Sequence, residues 1–251
     1  MLGLQLPTRK RARDEGEKPF WISFSDLMSA LMVLFLIAMS VALLAVTKKI
    51  SDEEKEEAGR FNDISELMQE VRRVAAQFEG VRVIGTTIDF GSQARFEREG
   101  QNTLSPQQRQ LLRTFTPQLL DKLRTTEAGK KWFKRAVVEG YASRTGTYLF
   151  NLNLSLERSE RVLCELLRTP PGGEPLGIDD RRLIAQRFFV GGASFNSLRN
   201  SENESRRIEF KLDFKTRTEA KDEAATQPQS VDLAALDLAL DPKERCPIQD
   251  H

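Results

Sequence analysis

Between Phe20 and Val46 the chain carries one ionisable residue, Asp26, in an otherwise apolar and small-residue run. A helix rises about 1.5 Å per residue, so roughly 20 residues cross a hydrocarbon core of about 30 Å. Ile22 to Val46 supplies that length with tilt to spare, and no Pro or Gly interrupts it after Pro19. Pro19 suits the first turn of a helix, where a missing amide donor does no harm, and Trp21 is a residue type that anchors at headgroup level. Lys48 and Lys49 close the far end. A cleavable signal peptide is the alternative, but its apolar core spans about 7 to 15 residues and no small-x-small site precedes Lys48. The run reads as an uncleaved transmembrane anchor over residues 20–46, preceded by a tail over 1–19. Basic residues flank both sides: Arg9, Lys10, Arg11, Arg13 and Lys18 before the run, Lys48, Lys49, Lys55 and Arg60 after it. The bias leans towards a cytoplasmic N-terminus, with the downstream domain translocated.

A carboxylate in hydrocarbon costs roughly 2.5–3.5 kcal/mol, so an acid kept there marks a functional position, carrying a proton or binding an ion. Ser23 and Ser29 stand three residues either side of Asp26, giving one helical face a carboxylate and two hydroxyls while Leu, Met, Val and Phe fill the others. Against partner helices the neutral, protonated acid is favoured, so gaining and losing a proton acts as a switch. Each charge that crosses releases roughly 2.3 kcal/mol per 100 mV. The apolar surroundings offer few further oxygens, which favours a proton over sodium as the motive ion. One span encloses no pathway, so a multi-span membrane partner is required. The competing reading is an acid about 9 Å into the run that stays hydrated.

Beyond the span the chain is highly charged yet nearly balanced, with a formal net charge of +1, and no bulk polarity points to nucleic acid. Cys164 and Cys246 are too few for a disulfide scaffold and lack metal-ligand spacing; in an oxidising compartment they are the candidate for a single bridge tying the C-terminal tail to the domain. The one histidine, His251, has no partner ligands nearby, so no metal site is expected. No nucleophile with a plausible base, phosphate-binding glycine loop or metal cluster is legible, which excludes an enzyme and implies no cofactor.

A helical linker is expected over 47–80, a domain over 81–216 and a flexible tail over 217–251. In the linker, Phe61, Ile64, Met68, Val71, Ala75 and Phe78 recur in steps of three and four. That seam fits a dimerising coiled coil, a helix obstructing a channel until released, or an amphipathic helix packed on the next domain. Val81 to Phe90 reads as a strand, and Ser105, Pro106 and Gln108 open a helix running to about Arg124. A second strand follows over Ala136 to Tyr141, then a helix capped by Ser155, a loop from Pro170 to Gly177, and strands over Arg187 to Gly191 and Arg206 to Phe214. Val231 to Leu240 suits a short helix. The fold class is α+β: a mixed sheet covered by helices on one face.

Phe90 to Phe214 resembles the OmpA-like peptidoglycan-binding domain. Val137, Val138, Glu139 and Gly140 resemble its second strand, Asn151, Leu154, Ser155 and Arg158 its helix signature, and Ser205 to Glu209 its closing double-arginine strand. The resemblance implies binding of the diaminopimelate-bearing stem peptide through Phe150, Asn151, Leu154, Arg158, Arg206 and Arg207. A guanidinium at Arg158 suits a two-pronged grip on a carboxylate. The family usually places an acid for the ligand's ammonium where this chain has Ser143.

Pro19, Trp21 and the stretch from Ser23 to Ser29 are similar to the start of the MotB-type stator helix, whose aspartate takes and releases the motive ion. Anchor and domain together resemble the MotB-like subunits of Zorya antiphage defence systems. This implies an inner-membrane stator: a homodimer inside five copies of a multi-span partner (ZorA or MotA-like), tied to peptidoglycan. A flagellar-type stator subunit and a passive wall tether are the alternatives.

Overall fold

A computed structural model describes residues 17–225 and 232–250. The N-terminal tail expected over 1–19 therefore lies almost wholly outside the described residues, as do Val231 and His251. The chain divides into two compact units, Met1–Glu56 and Glu57–His251.

Helix α1 covers Glu17–Ala75. In the first unit its side chains from Trp21 to Ile50 are all exposed, the apolar ones included. A continuous exposed apolar surface of this kind needs lipid or other helices around it. By length and composition the segment suffices to cross a membrane. The Ser29 and Ser40 hydroxyls donate to the carbonyls of Ser25 and Leu36, at 2.8 and 2.7 Å. Their protons therefore need no water.

In the second unit the elements run β1 (Arg82–Ile84), β2 (Thr87–Asp89), α2 (Pro106–Thr125), α3 (Glu127–Trp132), β3 (Phe133–Gly140), α4 (Tyr148–Leu167), α5 (Ile178–Arg187), β4 (Phe188–Gly192), α6 (Glu202–Ser205), β5 (Ile208–Phe214), α7 (Arg217–Ala225) and α8 (Leu233–Ala239). The sheet order is β1-β2-β5-β3-β4, antiparallel except where β3 meets β4. Register puts Ile88, Phe210 and Val138 in one row and Leu212 beside Ala136, all buried. With Leu112, Phe115, Leu119, Val162 and Leu166 they form the core. The opposite face is polar: Arg135 pairs with Asp213 at 2.8 Å, Lys211 pairs with Glu139, and Arg199 pairs with Glu209 at 2.7 Å. The α+β class, with its single long apolar N-terminal helix and its mixed sheet, is the one expected from the sequence.

Four local expectations change. The expected strand over 81–90 is a hairpin, because Gly85 takes φ +59° at the first loop position of a two-residue turn. Valine, isoleucine and threonine on both sides hid the break. Helix α4 starts seven residues before the expected Ser155 cap, with Thr147 as its N-cap. Of the linker seam, Met68, Val71 and Ala75 are buried in the domain core, Ile64 and Phe78 pack against it, and Phe61 is left exposed. Trp132 Nε1 donates to Asp63 at 2.8 Å and Arg60 Nε to the Lys215 carbonyl at 2.8 Å. The segment is thus an amphipathic helix packed on the domain, which begins well before residue 81. Helix α2 follows the expectation closely: Ser105 and Gln108 form a reciprocal capping box with Pro106 in the first turn.

The fourth change is the tail. Helix α7 is pinned by Lys134 to Glu219 at 2.5 Å and by Lys215 to Glu223. The segment 232–250 is fastened by a Cys164–Cys246 disulfide. Arg182 grips Asp237 through two bonds, Arg181 Nη1 donates to the Leu240 carbonyl at 2.7 Å, and Thr169 N donates to the Pro242 carbonyl at 2.8 Å. Acidic and apolar residues that read as a free tail are a strap whose partners are arginines on α5 and a cysteine on α4. The bridge closes a loop of 82 residues, which chain entropy values at about 4–5 kcal/mol, and engineered cases often deliver less. Urea unfolding of the full chain in detergent is expected to lose about 2–5 kcal/mol of stability in Cys246→Ser, or under reductant, relative to the oxidised protein. Equal stability would mean that the bridge does not hold the strap.

Candidate functional site

Asp26 lies on the exposed surface of α1. Ser23 and Ser29 flank it at roughly 60° on either side. The Ser29 proton goes to its own helix, at Ser25 O, so this hydroxyl offers lone pairs to its surroundings. One turn earlier, Trp21 and Phe24 meet edge to face with ring centres 6.4 Å apart.

In the domain, the residues singled out for wall binding gather where α4 crosses the sheet. A side chain at Gly140 would collide with the Ser155 carbonyl, and a Cβ at Gly192 would stand 2.7 Å from Ser155 Oγ and 2.9 Å from Leu152 O. The helix therefore lies as close to β3 and β4 as backbone allows. Ser155 is the bolt rather than a cap: its hydroxyl donates to Leu152 O at 2.8 Å and accepts from Ser194 N at 3.0 Å.

One turn on, Arg158 is wholly buried. Its Nε donates to Gln101 O and its Nη1 to Tyr141 O, both at 2.8 Å, and its guanidinium lies 4.4 Å from the centre of the Phe96 ring. Nη2 has no partner. Burial and then Arg206 push this arginine down to about 9, against the pull of Glu157. The result is a caged cation with carbonyls and an aromatic face around it and one donor unused. A caged charge of this kind favours an anion at the open position.

The double arginine divides its labour. Arg206 Nε donates to Phe96 O at 2.9 Å and Nη2 to Glu97 O at 3.0 Å and to Asn203, holding the segment that covers Arg158. Arg207 turns to the other face, where Nε donates to Glu209 at 2.7 Å and the guanidinium lies 3.9 Å from the Tyr141 ring centre. Burial and the bond to Glu139 push the Tyr141 hydroxyl well above its usual range. Asn151 is buried as well, donating to the carbonyls of Thr145 and Thr147 at 2.8 and 3.1 Å. Arg206, Arg207 and Asn151 thus shape loops, and among these four polar residues Arg158 is the one with a fully buried donor that has no partner.

Phe150 and Leu154 line an adjoining cavity of about 340 Å³ with Asn153, Gly100, Glu99 and Glu157. Ser143 is buried, and no acid occupies its position. Glu99 and Glu157 were not singled out from sequence. For Glu157 a signal existed: Phe150, Asn153, Leu154 and Glu157 recur at helical spacing on one face. Glu99 reaches the cavity only through the fold, accepting from Thr145 Oγ1 at 3.0 Å. Among the described residues no three of His, Cys, Asp and Glu stand together at metal-binding range.

Fold and sites define a chain in which one described helix, long and apolar enough to cross a membrane, carries an acid and is joined to an α+β domain built around a caged arginine. No protein-family model matches the chain. The Zorya protein ZorB of Escherichia coli O139:H28 (strain E24377A / ETEC) is 38% identical over 228 residues, 89% of this chain and 92% of that protein. The chain belongs to the ZorB family of Zorya proteins. Solved structures similar to it include the OmpA-like domain of FopA1 from Francisella tularensis (15% identity, 54% of this chain and 82% of that one, TM-score 0.33). A periplasmic domain of Helicobacter pylori MotB is 14% identical over 58% of this chain and 87% of that one, with TM-score 0.39. The cell wall anchor of the T6SS from Pseudomonas aeruginosa is 17% identical over 58% of this chain and 97% of that one, with TM-score 0.37.

Since the site depends on the contact of α4 with the sheet, Gly140→Ala is expected to destabilise the full chain by about 1–3 kcal/mol or more in urea unfolding, through overpacking against the Ser155 backbone. An unchanged midpoint would contradict the close approach.

Proposed function

We propose that this chain is a cell-wall-anchored, stator-like subunit of a proton-driven motor complex in the bacterial inner membrane, working in antiphage defence, and not an enzyme. The N-terminus lies in the cytoplasm and the domain in the periplasm. The observation that carries this is Asp26, the lone ionisable residue in the exposed apolar segment of α1 from Trp21 to Val46. Membership in the ZorB family supports the defence setting. Two copies of the chain sit within about five copies of a ZorA-like multi-span partner, whose helices supply the rest of the pathway. Protonation neutralises Asp26 against those helices and release restores the charge, and each cycle biases a step in the partner.

The domain holds the complex to peptidoglycan. The stem-peptide carboxylate takes the free Nη2 of Arg158 once the Gln101 segment shifts, and Glu157 with Glu99 meets the ammonium in place of the acid absent at Ser143. Glu157 stands next to Arg158 on α4 and borders the Phe150–Leu154 cavity.

Two measurements test these roles. Asp26→Asn keeps the side chain's shape and removes its titration, so the variant is expected to assemble with its partner in membranes yet lose protection of cells against phage. Full protection with normal assembly would leave only the passive tether. For the wall, retention of the detergent-solubilised chain on peptidoglycan sacculi is expected to fall about 10- to 100-fold in Arg158→Gln, the range for a lost hydrogen bond to a charged group. Glu157→Gln is expected to weaken it less. Wild-type retention by both variants, each folded, would place binding elsewhere.

A further inference from the structure

A second basic cavity, apart from the Arg158 site, lies where α2 and α4 meet the C-terminal strap. Its volume is about 290 Å³, and Arg109, Arg161, Glu165, Arg168 and Asp250 are among its lining residues. Three of these residues each hold a buried polar atom with no hydrogen-bond partner: Arg161 Nε, Arg168 Nε and Glu165 Oε1. Buried polar atoms are almost always paired with protein, water or a ligand, so three gathered at one cavity mark a place where a molecule from outside the chain completes the bonding.

The charges indicate its sign. Arg109, Arg113, Arg161 and Arg168 all act on Glu165, whose nearest ion-pair contact is Arg109 Nε at 3.8 Å. Among the described residues that line the cavity, the acids are Glu165 and Asp250. Arg113 is engaged with the carbonyls of Glu165, Arg168 and Glu174, Arg109 Nε with Leu104 O and Arg161 Nη2 with Gln249 O, so the buried donors left for a guest are Arg161 Nε and Arg168 Nε. Arg161 Nη2 also holds Asp250 at 2.7 Å, but that side chain is 75% exposed, so water competes for it and the pair is weak. Asp250 thus acts as a replaceable internal anion.

We propose that this cavity binds a phosphoryl group, as inorganic phosphate or as a phosphate monoester. Its oxygens accept from Arg161 and Arg168, and the one P–OH that hydrogen phosphate, or the monoanion of an ester, still carries donates to Glu165 Oε1. A simple carboxylate lacks that hydroxyl and leaves Glu165 unpaired. The inference is independent of the motor and wall-binding proposals.

The test is isothermal calorimetry on the full chain in detergent at constant ionic strength, with inorganic phosphate, glycerol 3-phosphate and acetate as probes. Saturable binding of one phosphate per chain is expected, with acetate at least about 10-fold weaker. Arg161→Gln and Arg168→Gln are expected to weaken phosphate by about 10-fold or more, and Asp250→Asn to tighten it a few-fold by removing the competing carboxylate. Tighter inorganic phosphate identifies the free ion as the guest, and tighter glycerol phosphate identifies an ester. Absence of saturable phosphate binding in both the wild type and Asp250→Asn overturns the proposal. So does unchanged affinity in both arginine variants. Thermal unfolding of each variant without phosphate separates loss of the site from loss of the fold.

Discussion

Helix α4 lies so close to the sheet that only glycine fits beneath it, and the arrangement of the domain's functional face follows from that contact. Gly140 and Gly192 admit the Ser155 backbone and hydroxyl, and Ser155 in turn fixes Ser194 and the loop leading to α6. The next turn of α4 is thereby carried into the interior, where Arg158 meets Phe96 and the carbonyls of Gln101 and Tyr141. Arg206 closes the same segment from the other side through Phe96 O and Glu97 O. A larger residue at either glycine would move the arginine, its covering segment and the Phe150–Leu154 cavity together.

The two units share an electrostatic theme: each holds a charge that makes no ion pair among the described residues. Asp26 projects from the apolar segment of α1, which is exposed from Trp21 to Ile50, and Arg158 sits among carbonyls and an aromatic ring with a buried donor unused. Charges outside water are kept when something beyond the chain completes them. For Asp26 the proposed completion is a proton and partner helices; for Arg158 it is a ligand carboxylate.

What the sequence revealed depended on how local the cause was. Ser105, Pro106 and Gln108 form their cap within one turn, and the alternation of Ile208, Phe210 and Leu212 reports one buried face of a strand, so both were legible. Ser155 has the same cap chemistry as Thr147, and only the sheet packed against α4 decides that the former lies mid-helix. Gly85 breaks a strand-like run through a positive φ that apolar patterning does not register. Of the strap, the sequence showed a possible Cys164–Cys246 pair and a short helix near Leu233–Ala239, but not its docking, because Arg181 and Arg182 lie on a helix distant in sequence. At the candidate site Asn151, Leu154, Ser155 and Arg158 were visible as a motif, whereas the roles of Arg206 and Asn151 in holding loops, and the arrival of Glu99, required the fold.

The most direct measurement of the central proposal is proton flux into sealed vesicles that carry this chain with its multi-span partner, followed by an internal pH-sensitive dye under an imposed membrane potential. Vesicles with the wild-type chain are expected to acidify inside when the potential draws protons inward, and vesicles with Asp26→Asn to stay at the leak rate of protein-free membranes. Equal flux from the two, at equal content of assembled complex, would contradict a proton-carrying role for Asp26.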